Sequence, residues 1–266
     1  MTAPAVPSSF LVREVKAFGR SVHRVGVSAS FGLEEAGIEA AFERGVQYVF
    51  WNPTARKLTA VLRRLGPSRR EALVVATGPS FGFTAGSVRR RVERALRVLR
   101  SDYLDVLQLY WLGRMSAYRP AVLEAMLRLK EEGKVRVLGT SIHDRVRAGE
   151  LARSGPLDLL MIRYNAAHPG AEQDIFPHLA PRQPAVVAYT ATSWRRLLRK
   201  PRDWSGAVPS AGDCYRFCLS NPHVDIVLMG ARNEGELDEN LRALERGPLS
   251  EPEMQEMRAF GRAVHG

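Results

Sequence analysis

Eight short runs of β-branched and aliphatic residues, separated by longer amphipathic stretches, constrain this chain more than any other feature of it. The runs are Val25–Ser30, Val46–Trp51, Ala72–Thr77, Asp105–Tyr110, Val135–Ser141, Leu157–Arg163, Ala185–Tyr189 and Val224–Leu228. Most are apolar almost without a break, the pattern of a strand buried on both faces of a parallel sheet. Between them the apolar residues fall at helical spacing. Val88, Val92, Ala95, Leu96 and Leu99 mark one stripe within Ser87–Arg100, and Val122, Leu123, Met126, Leu127 and Leu129 mark another within Pro120–Glu132, which stops at Gly133. Ala207–Ser220 and Asn233–Leu244 repeat the scheme, and Ser250 with Glu253 three residues on predicts a capping box opening a last helix.

About eight βα units in 266 residues, with no linker and no shift in composition, predict a single (β/α)₈ TIM barrel over 1–266. A doubly wound open sheet is the alternative, but Val25–Gly32 carries no G-x-G-x-x-G turn after the first strand. Residues before Val25 are then expected to cap the barrel floor. Met1–Ser9, rich in Pro, Ala and Ser, reads as a disordered lead and not as a signal peptide, and 193–208, with Lys200–Trp204 at its centre, as a lid loop.

The formal charge of +11 favours an anionic ligand. It does not point to nucleic acid: Arg89, Arg90, Arg91, Arg94, Arg97 and Arg100 crowd one helix without interleaved aromatic residues, so that helix reads as a solvated outer one. Only Cys214 and Cys218 are present, which excludes a disulfide framework, and no apolar run has the roughly 20 residues that span a bilayer. A cytoplasmic protein is expected. His143 and His168 lack a third ligand at metal spacing, so no metal is expected.

In a barrel of this kind, function sits where strands end. Those positions hold Ser30; Phe50, Trp51 and Asn52; Gly78; Tyr110 and Trp111; Ser141 and His143; Arg163, Asn165 and His168; Tyr189; and Arg232 with Asn233. They include aromatic residues, amides and cations, and no carboxylate.

Four ordered stretches carry a resemblance: Arg97–Trp111 (RVLRSDYLDVLQLYW), Gly133–Ser141 (GKVRVLGTS), Ala188–Leu198 and Val227–Leu241 (VLMGARNEGELDENL). Together they resemble the aldo-keto reductase superfamily, and Arg163–Glu172 is similar to the R-Y-N-A-A-H-x-G-A-E segment of a bacterial branch. The resemblance implies the barrel fold and an NAD(P)(H)-linked oxidoreductase. The family's reaction uses an Asp, a Tyr, a Lys and a His, because a phenol with a pKa near 10 is a poor acid without charged neighbours. Those four positions fall here on Phe50, Ala55, Gly78 and Tyr110, and a shift of one residue puts Trp51 and Arg56 at the first two. The residues that hold the nicotinamide fall on Ser141, Ile142 and Met161, with Tyr189 as the stacking ring. Arg232, the helix start at Asn233, and Asn240 match the adenosine end, whereas Glu236 stands where some members place an Arg for a 2′-phosphate.

Each candidate keeps two readings. Tyr110 is either a replacement proton donor, assisted by Lys57 or Arg163, or a filler of the barrel rim. Trp51 and Trp111 form an aromatic wall that stacks on a ligand or blocks the old nicotinamide pocket. Arg163 needs an anionic ligand or a carboxylate, Asp105 or Glu172. Asn52, His143 and Asn165 line the expected ligand pocket, though Asn165 and His168 can equally structure their own loop. The replaced tetrad predicts an atypical or non-redox activity on an anionic small molecule. The alternative is a pseudoenzyme that binds a ligand or a protein.

Overall fold

A computed structural model describes residues 8–28, 31–78, 84–112 and 118–265. A two-stranded antiparallel hairpin, β1 (Val12–Val15) and β2 (Arg20–His23), precedes eight parallel strands. These are β3 (Val25–Ser28), β4 (Tyr48–Phe50), β5 (Val74–Thr77), β6 (Leu104–Leu112), β7 (Val135–Ile142), β8 (Leu159–Arg163), β9 (Ala185–Tyr189) and β10 (Ile226–Met229). They pair in sequence order, and β10 returns to β3, which closes the barrel. All eight expected strands form: β4, β5, β8 and β10 start two residues late and β4 ends one early, β9 matches, β6 lengthens, β7 gains Ile142 and β10 gains Met229, while residues 29–30 of the first lie outside the described residues.

Alternation along each strand divides the core in two. Tyr48, Val74, Val106, Val137, Leu159, Val187 and Ile226 point into the barrel, where Val15 and Val22 of the hairpin join them as the floor. Val27, Val49, Val75, Leu107, Leu138, Leu160 and Val227 point outward against the helices. Tyr48 fills the lumen only because β3 offers Gly26, where a Cβ would lie 2.7 Å from the Tyr48 ring.

The helices follow the apolar stripes. Ala85–Leu99 buries Val88, Val92, Ala95 and Leu99, and its start is fixed by a Thr84–Ser87 capping box. Pro120–Glu131 buries Val122, Met126 and Leu129, but Leu127, expected on the same stripe, is exposed. The C-terminal helix Glu251–His265 begins with Ser250 donating its N–H to the Glu253 carboxylate, as the spacing predicts. It lies so close to the segment after β8 that a Cβ at Gly261 would meet the Ala166 carbonyl at 2.0 Å. Among the described residues no helix is long and apolar enough to cross a membrane.

Two expected boundaries change. Residues 1–7 of the lead lie outside the described residues, while Ser8–Leu11 forms a helical turn. The centre of the expected lid is anchored: Trp204 packs edge-on against Phe260 at 5.1 Å and donates its Nε1–H to the Ala207 carbonyl.

Candidate ligand site at the barrel mouth

Parallel strands put every C-terminal end at one rim, and a cavity of about 850 Å³ opens there over the ends of β3, β4 and β7 to β10. Its inner wall is Phe50, Met161, Tyr189 and Leu228, contributed by the inward-facing positions of their strands. Its outer wall comes from loops, with Phe31 and Trp194, both more than half exposed, Arg195 and Leu198, and from the helix Ala211–Ser220, which supplies Tyr215. Thr190, Ser193, Trp194 and Arg195 all have left-handed backbone, with φ between 49° and 68°. Non-glycine residues hold this conformation only under restraint. Asn165 supplies part of it, since its Nδ2–H donates to the Thr190 carbonyl at 2.7 Å.

At the inner edge of the cavity the Tyr189 hydroxyl lies 2.9 Å from His143 Nε2 and 3.2 Å from Nδ1. Burial raises the Tyr189 phenol to about 12, although the Ser141 side chain bonded to it and the charge of Arg163 pull it back. The His143 imidazole is lowered by its own burial and by Arg163, so it is neutral at pH 7. Arg163 ends β8 directly across from Tyr189 on β9 and follows Leu159 and Met161 on the inward-facing side of its strand. Its guanidinium makes no hydrogen bond or ion pair among the described residues. Both expected carboxylate partners are engaged elsewhere. Asp105 starts β6 at the opposite end of the barrel and pairs with Arg70 and Arg136, while Glu172 pairs with Arg258 and accepts the Tyr164 hydroxyl.

The far end of the cavity is Arg232, Glu236, Glu239 and Asn240, beside the helix Glu234–Leu244. Asn233 caps that helix by accepting the Glu236 N–H at 2.9 Å. Glu236 in turn accepts Arg232 Nε–H at 2.8 Å and the Arg232 backbone N–H at 3.0 Å. The Arg232 pairing holds the Glu236 carboxyl below its usual range.

Ordered eight-strand geometry and the matched segments have a direct counterpart among known proteins. The family model described as Aldo/keto reductase family matches residues 38–203. The chain belongs to that family. An L-galactose dehydrogenase of Arabidopsis thaliana is 22% identical over 254 residues, covering 79% of this chain and 77% of that protein. The aldo-keto reductase YhdN of Bacillus subtilis is 22% identical over 216 residues, 64% of this chain and 65% of its own length. Among solved structures, the holo form of the aldo-keto reductase AKR11C1 of Bacillus halodurans superposes with a TM-score of 0.77 at 20% identity, over 95% of this chain and 96% of that one.

Within this aldo/keto reductase barrel, the expected site residues separate into three groups. Tyr189, His143, Arg232 and Asn240 line one cavity, with Ser141 buried under Tyr189. Others are structural. Trp51 is not a mouth residue: alternation turns Phe50 inward and Trp51 outward, where it is fully buried and donates Nε1–H to Thr59 Oγ1 at 2.9 Å. Asn52 accepts the Thr54 N–H within its own turn, and Ala55 precedes the helix Arg56–Arg64. Asn165 is buried, accepts the Ala167 N–H and braces its loop. Tyr110 faces Phe50 ring to ring at 5.6 Å but does not line the cavity. Burial pushes its phenol well up, and the groups that offset this are Thr77 and the Gly78 backbone, not Lys57, which pairs with Glu34, nor Arg163. Finally, Ser30 and the Trp111 side chain lie outside the described residues.

Gly78 is a glycine by necessity. A Cβ there would sit 1.9 Å from the Gln108 carbonyl and 2.8 Å from the Tyr110 ring. Missed by the sequence reading were Phe31, Trp194, Arg195, Tyr215 and Glu239. Trp194 had a signal in its place, five residues beyond the end of β9.

Proposed function

We propose that this aldo/keto reductase barrel binds an organic carboxylate with an apolar body at its mouth, and that it does not reduce carbonyls by the family's usual tetrad. The observation that carries the reading is Arg163, a cation at a strand end with no carboxylate partner among the described residues, in register with Tyr189, which lines an aromatic-walled cavity. A half-buried guanidinium without a partner is stabilised by an arriving anion, and its planar fork matches a carboxylate.

Members of the family use NAD(P)(H), and the residues here do not fit that group. At the nicotinamide end, Ile142 is buried in the outer core, Met161 offers a thioether in place of an amide, and the Tyr189 hydroxyl already contacts His143. At the phosphate end, the Glu236 carboxylate takes the guanidinium and the backbone N–H that an incoming phosphate needs. The replacement of the tetrad positions by Phe50, Ala55, Gly78 and Tyr110 points the same way. A cytoplasmic setting suits two buried, unpaired cysteines.

Trp194 lines the cavity, so its fluorescence reports occupancy, with Trp194→Phe as the control for the other three tryptophans. Phenylpyruvate and 2-oxobutanoate are expected to quench it, and Arg163→Met to weaken both by about tenfold or more, about 1.4 kcal/mol. NADPH or NADH binding more tightly than either acid, with Arg163→Met unchanged, overturns the reading.

A further inference from the structure

The mouth holds more than a cation. Tyr189 and His143 touch through their polar atoms inside the same cavity. The Tyr189 oxygen has a neighbour on each side. His143 Nε2 lies at 2.9 Å, and the buried Ser141 hydroxyl is near enough to lower the phenol. With both acting as donors, the phenol proton is left to point into the cavity. Both imidazole nitrogens lie within 3.2 Å of that oxygen, so the imidazole is the next group beyond a carbonyl held by the phenol. Arg163 stands directly across the β8–β9 pair from Tyr189. A molecule whose carboxylate and carbonyl are adjacent, a 2-oxo acid, matches the Arg163–Tyr189 pair with its two functional groups.

We propose that His143 and Tyr189 form a proton relay that interconverts the keto and enol forms of a 2-oxo acid anchored at Arg163. The inference rests on the carboxylate-binding reading above and adds a reaction to it. In the forward step one His143 nitrogen takes a proton from C3, and that C–H bond breaks. Its electron pair forms the C2=C3 bond, and the C2=O π pair moves onto oxygen, which takes the Tyr189 proton. The other His143 nitrogen passes its proton to the Tyr189 oxygen. The substrate leaves as the enol, Tyr189 is restored, and His143 has changed tautomer, which exchange with water resets. Nothing is oxidised or reduced, so no cofactor is needed. A neutral imidazole is the form able to accept the C3 proton, and burial with Arg163 nearby keeps His143 neutral. Positioned acid–base groups contribute about 10²- to 10⁴-fold to such steps.

The experiment incubates the full chain with 2-oxobutanoate in D₂O and follows loss of the C3 proton signal by NMR, alongside Trp194 quenching by the same compound. Exchange at least about 100-fold above a protein-free blank is expected. His143→Gln and Tyr189→Phe are each expected to bring exchange to within about tenfold of the blank while quenching persists. Arg163→Met is expected to lose both together. Quenching at saturation with exchange at the blank rate overturns the relay and leaves the carboxylate site standing as a binding module. Neither quenching nor exchange overturns both. Exchange that survives in His143→Gln or Tyr189→Phe also overturns the relay.

Discussion

At the floor of the barrel three aspartates do the same job on alternate strands. Asp105 accepts the Val75 N–H, Asp158 the Leu138 N–H and Asp225 the Val186 N–H, each binding the edge of the preceding strand. Each also meets a cation: Arg70 at 2.8 Å, Lys130 at 2.6 Å and Arg13 at 3.3 Å respectively. Arg24, also buried, spends its guanidinium on the carbonyls of Phe10, Leu219, Val224 and Asp225. The mouth is built the other way. Its strand ends carry no carboxylate, Arg163 has no partner among the described residues, and left-handed residues frame the opening. The strands are common to both ends, so the difference lies in where charge is neutralised. A closed end holds the barrel together, and an open end leaves electrostatic work for a ligand.

The largest expected effect tests the closed end. Asp105→Ala leaves Arg70, only 13% exposed in its side chain, beside an empty site and frees the Val75 N–H. Removing one partner of a buried pair costs about 3–5 kcal/mol, so the urea midpoint should fall steeply while Trp194 quenching by phenylpyruvate keeps its affinity. A loss under about 1 kcal/mol erases the contrast between the two ends.

The next effect marks where the mouth is rigid. Gly78→Ala drives a methyl group into the Gln108 carbonyl, a backbone atom that cannot swing aside as a side chain can. About 1–3 kcal/mol of destabilisation is expected from such overpacking. Thermal denaturation that shows no loss means that β5 and β6 can part at the rim, and the open end is then looser than its hydrogen bonds imply.

The barrel was legible because its strands are buried on both faces, which writes nearly unbroken apolar runs into the sequence. Pairings across the barrel were less so. Asp105 as a partner for Arg163 was excludable from direction alone, since one opens its strand and the other closes its strand, and parallel strands put those ends apart. Trp51 was excludable by the period of two that turns Phe50 inward. Glu172 is different, because its partner Arg258 lies 86 residues away and no spacing announces it. Nor does anything in Thr190–Arg195 announce a run of left-handed residues with no glycine among them. The outer wall of the cavity therefore came mostly from the loops, where tertiary contacts overrule local preference.

The smallest expected effect probes how far the uncompensated charge of the mouth reaches. His168, half-buried in the loop after β8, is lowered to about 4 by burial and then by Arg163, His265, Arg196 and Arg145. The His265 ring meets it edge-on at 4.9 Å, and Asn165 Oδ1 lies 3.1 Å from its Nδ1. In the unfolded chain the imidazole titrates near 6.5, so between that pH and about 4 the unfolded state binds the extra proton. Stability is therefore present in full above 6.5 and declines as the pH falls to about 4, where the native state is protonated too. Solvent screening of a group this exposed reduces the effect to on the order of 1 kcal/mol. Urea unfolding across that window should show a slope that His168→Gln removes, and Arg163→Met should flatten it in part by withdrawing the cation that acts on His168 most strongly. A slope untouched by Arg163→Met would show that the charge at the mouth is screened within its own cavity. The loop after β8 would then be governed by burial alone.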